Sequence, residues 1–162
     1  MTRIHVSSYI HARREDVFDF VSDHEGFLRG PGIKSCKVTT PGKGDRNGLG
    51  ALREVRGGGI RFVEEITVFD RPSRYDYVIR ECTLPIVHEG GRLSFFERGD
   101  GTEIDWVSDF SVPIPIAGGA LGRIAALQLT EAFTRLLLRA KAALEGDRAA
   151  KTEAGERAEA AR

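Results

Sequence analysis

The sequence predicts an α+β fold in which a curved antiparallel sheet of about seven strands wraps around one long C-terminal helix. Two short helices follow the first strand. Three observations carry this expectation. A run of period-two segments is separated by short turn sequences, glycine and proline are concentrated in those turns, and the apolar period switches to 3.6 after Pro115.

Residues 3 to 10 alternate as a strand does, and residues 12 to 23 (ARREDVFDFVSD) then place Val17, Phe18 and Val21 on one helical face. Gly26, Gly30, Pro31 and Gly32 break regular structure over 25 to 33, which fits a loop or a second short helix. Strands follow at about 33 to 40, 48 to 56, 60 to 69, 74 to 82, 88 to 97 and 102 to 112. They are divided by Asn47-Gly48, Gly57-Gly58-Gly59, Arg71-Pro72-Ser73 and Gly99-Asp100-Gly101. Such short connections make a six-strand meander. Beyond Pro113 and Pro115, Leu121, Ala125, Leu129, Ala132, Leu136, Ala140 and Ala143 recur every three or four residues. A helix from about 118 to 145 spans roughly 40 Å at 1.5 Å per residue, enough to cross the sheet. The charged, alanine-rich stretch 146 to 162 is expected either to fray or to prolong this helix.

Composition narrows the function classes. A chain of 162 residues suits one domain with a sizeable core, here residues 1 to 145. Lys plus Arg and Asp plus Glu both number 24, so no bulk positive field attracts nucleic acid or an acidic membrane surface. The N-terminus MTRIHVSSYI lacks a signal-peptide layout, and no apolar run approaches the roughly 20 residues that span a bilayer. A cytoplasmic protein without membrane insertion is expected, as a monomer or a homodimer. Cys36 and Cys82 stand in no CxxC or His-rich setting, and His5, His11, His24 and His88 fall in separate elements. Neither a metal nor a cofactor is expected, although His88 opens the sixth strand, where it can approach the cavity mouth.

Hairpin geometry gives the inner face. If Gly58 and Gly59 form a two-residue turn, Val55 faces Phe62, Arg53 faces Glu64, Ala51 faces Ile66 and Leu49 faces Val68. Continuing through the turn at 70 to 73, Val68 faces Tyr75, Ile66 faces Tyr77, Glu64 faces Ile79 and Phe62 faces Glu81. A turn at 98 to 101 sets Phe95 against Ile104, Leu93 against Trp106 and Gly91 against Ser108. The expected inner wall is therefore Arg53, Glu64, Tyr75, Tyr77, Ile79, Glu81, Leu93, Phe95, Trp106, Ser108 and Phe110, closed by Leu121 and Ala125 of the helix. Glu54, Arg56, Glu65, Arg80, Glu103, Asp105 and Asp109 are expected outside. An aromatic and aliphatic wall with a few polar groups set into it is the chemistry of a ligand pocket.

This layout, together with AxxEDVFDFVSD (12 to 23), Gly48-Leu-Gly-Ala-Leu-Arg53, Glu64-Glu-Ile66 with Asp70, Tyr75-Asp-Tyr77, Leu84-Pro85 and Gly101-Thr-Glu-Ile-Asp-Trp106, resembles the START-like (SRPBCC) superfamily. Within it, the chain looks like the polyketide cyclase/dehydrase and lipid transport group, over about residues 3 to 145. The resemblance implies a helix-grip fold, as in birch-pollen-allergen-like proteins, and a cavity for a small hydrophobic ligand such as a lipid, isoprenoid or polyketide. The placement of Arg53 and Glu64 is similar to that of an arginine and a glutamate implicated in proton transfer in lachrymatory factor synthase.

Two charges inside an apolar wall cost several kcal/mol each unless they pair and gain further hydrogen bonds. Three roles are open to Arg53 and Glu64 on the sequence. They form a structural ion pair, or Arg53 anchors a carboxylate, carbonyl or phenolate of a ligand, or the two are catalytic. In the last case Glu64 or Glu81 is a general base, Arg53 or Tyr77 stabilises an enolate-like charge, and the reaction is a cofactor-free cyclisation, dehydration or isomerisation.

Overall fold

The computed structural model describes residues 1–29, 32–115 and 117–160. Gly30 and Pro31 of the expected loop, and the last two residues of the tail, lie outside the described residues. The chain runs β1 (Thr2–Ile10), α1 (Arg14–Ser22), α2 (His24–Phe27), β2 (Ile33–Thr40), β3 (Leu52–Gly57), β4 (Ile60–Asp70), β5 (Arg74–Cys82), β6 (Val87–Arg98), β7 (Gly101–Ser111) and α3 (Gly118–Ala160).

All seven strands form one antiparallel sheet in the order β1-β7-β6-β5-β4-β3-β2. The first strand therefore occupies one edge, the two short helices carry the chain over to the opposite edge, and the remaining strands return as a meander. Turn chemistry sets the register. Gly58 and Gly59 both hold positive φ, 56° and 80°, the backbone a tight I′ hairpin needs. That turn locks Arg53 opposite Glu64 and Val55 opposite Phe62. Between β6 and β7, Gly91 faces Ser108, Leu93 faces Trp106 and Phe95 faces Ile104, as the turn at 98 to 101 requires.

Bulges alter the expected register in β4 and β5. Ile66 faces Tyr77 and Glu64 faces Ile79, but an extra residue at Thr67 brings Phe69, not Val68, opposite Tyr75. A second extra residue at Arg80 brings Cys82, not Glu81, opposite Phe62. One inserted residue reverses the side-chain alternation beyond it. Glu81 is accordingly exposed and accepts a hydrogen bond from Arg61 Nη1 at 2.8 Å. The third strand also starts later than expected. Residues 43 to 49 close on themselves through Lys43 N–H to Leu49 O, and Gly50 holds φ 81°, leaving Leu49 exposed instead of opposite Val68.

The core lies between the sheet and the helices. Phe18 of α1 is fully buried and meets Phe69, Tyr75 and Phe95 edge-on, with ring centroids 5.2, 6.0 and 5.1 Å away. Phe27 of α2 reaches Trp106, and Phe133 of α3 stacks on the same indole at 3.8 Å.

Helix α3 lies chiefly along β1. Its far end is fixed by polar contacts. Lys141 Nζ donates to Tyr9 O at 2.8 Å, the His11 N–H donates to Glu145 Oε1, and Arg139 donates to the carbonyls of Gly26 and Phe27. The packed face is Ala125, Ala126, Phe133, Leu136, Leu137, Ala140 and Leu144. Leu121 and Leu129, counted in the expected stripe, are exposed, as is Ala132. Glu54, Glu65, Glu103, Asp105 and Asp109, expected outside, are half-buried because each pairs with an arginine or histidine on the outer face.

Candidate functional site

Arg53 and Glu64 meet inside the sheet as cross-strand neighbours. Arg53 is 1% exposed and Glu64 5%. Arg53 Nη2 lies 2.7 Å from Glu64 Oε1. This is a close buried ion pair, and among the described residues Nε of Arg53 has no hydrogen-bond acceptor. The guanidinium plane also faces the Tyr75 ring, 5.9 Å from its centroid.

A third residue completes this cluster. His24, the first residue of α2, is 4% exposed, and its Nδ1 contacts Arg53 Nη1. The same nitrogen lies 2.9 Å from Ser22 O, which is an acceptor. A guanidinium can only donate and a carbonyl can only accept, so Nδ1 accepts from Arg53 in one tautomer and donates to Ser22 O in the other; the remaining ring nitrogen is Nε2. That nitrogen faces Glu64 Oε1 at 3.8 Å. His24 was not among the residues expected here. Its only signal in the sequence is its place at the start of a helix too short to show periodicity, a helix whose end carbonyls, of Gly26 and Phe27, accept from Arg139 in the fold.

Burial and neighbouring charge set the protonation of the cluster. Desolvation raises the Glu64 carboxyl above the usual carboxylate range, with Arg53 opposing. Desolvation first, and Arg53 second, hold His24 well below the ordinary imidazole value. The Tyr75 and Tyr77 phenols are pushed up by burial, and so is the Cys36 thiol, to about 12, which leaves it an unreactive thiol.

A second polar group lies on the neighbouring cross-strand row. Trp106 Nε1 donates to Tyr77 Oη at 3.0 Å, and His88 Nε2 lies 3.0 Å from Ser108 Oγ. The Tyr77 ring covers Gly91, where an added Cβ would sit 2.2 Å from Tyr77 Cζ. Only glycine lets that ring lie flat on the strand.

Of the expected wall residues, Tyr75, Tyr77, Leu93, Phe95, Trp106, Ser108 and Phe110 are buried with Arg53 and Glu64. Ile79 and Ala125 are half-buried. Glu81 and Leu121 do not join them, Glu81 because of the bulge at Arg80 and Leu121 because the neighbouring Gly122, not Leu121, is the residue that lies against Thr2 of β1. Among the described residues, no group of three His, Cys, Asp or Glu side chains is arranged to hold a metal ion.

The histidines give the site a pH signature. Burial lowers His88 to about 4. An unfolded chain takes up a proton on His24 and on His88 near pH 6.5, and the folded chain does not. The contribution of both to stability is thus present above pH 6.5 and lost as pH falls toward 4. The raised Glu64 acts with the opposite sign, since its contribution is present at low pH and lost as pH rises through its folded value. Melting temperature followed from pH 7 to 4.5 is expected to fall less steeply in His88→Gln than in the parent chain, and equal slopes refute this.

A curved antiparallel sheet closed by a C-terminal helix over a buried, partly polar wall defines the helix-grip class of START-like proteins. A family model described as polyketide cyclase / dehydrase and lipid transport matches residues 1–145, and the chain belongs to that family. Solved structures agree on the fold. A START superfamily protein from Mycobacterium smegmatis superposes with TM-score 0.68 at 17% identity, covering 90% of this chain and 99% of that one. A protein from Thermus thermophilus gives TM-score 0.70 at 22% identity, covering 90% and 98%. The Aha1 dimer from Colwellia psychrerythraea gives 0.62 at 13%, covering 90% and 97%. No curated protein matches. Family and fold together make this a hydrophobic-ligand-binding or cyclase/dehydrase-type protein. No helix among the described residues is long and apolar enough to cross a membrane.

Proposed function

We propose that this protein binds a small amphipathic metabolite, such as a lipid, isoprenoid or polyketide-like molecule, with its acidic or carbonyl head on Arg53. The observation that carries this reading is the guanidinium itself. It is fully buried, and while Nη2 pairs with Glu64 Oε1 at 2.7 Å, the Nε hydrogen has no acceptor among the described residues. Buried donors left unpaired cost about 1–3 kcal/mol or more when charged, and a ligand carboxylate, phenolate or carbonyl relieves that cost. The aromatic wall of Tyr75, Tyr77, Phe95 and Trp106 suits the apolar body of such a molecule. A cytoplasmic protein, as a monomer or a homodimer, without cofactor, fits this role.

A second reading rests on Glu64. Its raised pKa beside a neutral His24, 3.8 Å away, suits a carboxyl group that exchanges a proton with a bound substrate. Arg53 then stabilises the enolate-like charge in a cofactor-free cyclase, dehydratase or isomerase.

Native mass spectrometry of protein purified from its own host tests both. A retained adduct with an acidic, phenolic or carbonyl head is expected, absent from the Arg53→Met/Glu64→Leu variant. The same adduct on that variant overturns both readings. Glu64→Gln is expected to keep the adduct, and a loss of its conversion by roughly 100-fold identifies the enzyme.

A further inference from the structure

The hydrogen bonds around Tyr77 leave one donor unaccounted for. The backbone N–H of Ile79 donates to His88 Nδ1 at 3.0 Å, which places the imidazole proton on Nε2, so His88 donates to Ser108 Oγ. Trp106 donates to Tyr77 Oη, and the Tyr77 and Ser108 hydroxyls are neighbours. Trp106 and His88 each give their hydrogen to one of the two hydroxyls, and those hydroxyls can share at most one further bond between themselves. One hydroxyl hydrogen, on Tyr77 or on Ser108, is spare. Tyr77 is 5% exposed and Ser108 4%, and the described residues offer that hydrogen no further acceptor.

We infer that this spare hydroxyl hydrogen is a second binding point, which takes an uncharged acceptor, a carbonyl oxygen above all, at the far end of the molecule anchored on Arg53. The inference rests on the anchor reading given above. A carboxylate is the wrong partner, because the cluster has no cation and an unpaired buried charge is costly. Tyr77 pairs with Ile66, one row on from Glu64 and Arg53. Two strand spacings and two residues of rise separate Tyr77 from Arg53 by roughly 12 Å. Between the Arg53–Glu64 pair and Tyr77 the wall is Ile66, fully buried. The ligand class is therefore an elongated molecule with an acidic or carbonyl head, an apolar middle and a second carbonyl.

Calorimetric titration with decanoate and with 9-oxodecanoate separates the two points, since these acids share a head and a chain length and differ by one ketone. The parent chain is expected to bind the oxo-acid at least tenfold more tightly. Arg53→Met is expected to lose both, and Tyr77→Phe/Ser108→Ala to lose only the preference. The double variant is used because either hydroxyl alone still supplies a donor. Equal binding of both acids by the parent chain overturns the second point and leaves the anchor standing. No binding of either acid, or binding untouched by Arg53→Met, overturns both. Should the double variant fail to fold, the infrared carbonyl band of ketone-labelled 9-oxodecanoate on the parent chain decides. A shift to lower frequency than in an apolar solvent supports the hydrogen bond, and an unshifted band refutes it.

Discussion

Glu64→Leu alone is expected to cost about 3–5 kcal/mol, because it leaves the Arg53 guanidinium buried without its counter-charge. The geometry sharpens that figure's meaning. Arg53 is 1% exposed and sits between Glu64, His24 and the face of Tyr75, so no other carboxylate of the chain is in place to replace the lost partner. Arg53→Met with Glu64→Leu removes both charges. It is expected to restore most of the loss or exceed the parent, since a buried ion pair is often no more stable than apolar residues of like size. His24 tolerates the double change. Once the guanidinium is gone, its Nδ1 takes the ring proton and donates to Ser22 O, already 2.9 Å away. Urea denaturation of the two single variants and the double gives the coupling between the sites directly. A double variant as weak as Glu64→Leu shows that the charges are required by the fold itself, and the case for Arg53 as a ligand anchor then weakens with it.

Phe18→Ala is expected to cost a similar amount, about 3–5 kcal/mol. Phe18 is the point at which α1 locks onto the sheet. Its ring is fully buried and meets Phe69, Tyr75 and Phe95 from three sides, so the void left by alanine is walled by rings held in a sheet and does not collapse readily. The loss also reaches the site, since Tyr75 is the ring over which Arg53 rests. Phe18→Leu keeps most of the volume and is expected to lose markedly less. Chemical denaturation checks the ranking, and equal losses for Ala and Leu refute the cavity argument.

What the sequence by itself determined is whatever depends on alternation and on turns. Gly58-Gly59 and Gly99-Asp100 impose tight hairpins, so the residues facing one another across β3–β4 and β6–β7 follow by counting, and Arg53 opposite Glu64 is among them. The switch of period after Pro115 likewise marks the last helix. What only the tertiary structure decided is whatever depends on a single inserted residue or on contacts between distant elements. Nothing in the run Val78 to Cys82 announces that Arg80 bulges and turns Glu81 outward. Along α3, three consecutive leucines, 136 to 138, leave the packed face open by one residue. The sheet chooses Phe133, Leu137 and Ala140, because Phe133 reaches Trp106. His24 enters the site for the same reason. A four-residue helix has no periodicity to read, and its position is fixed from outside by Arg139, more than a hundred residues further along the chain.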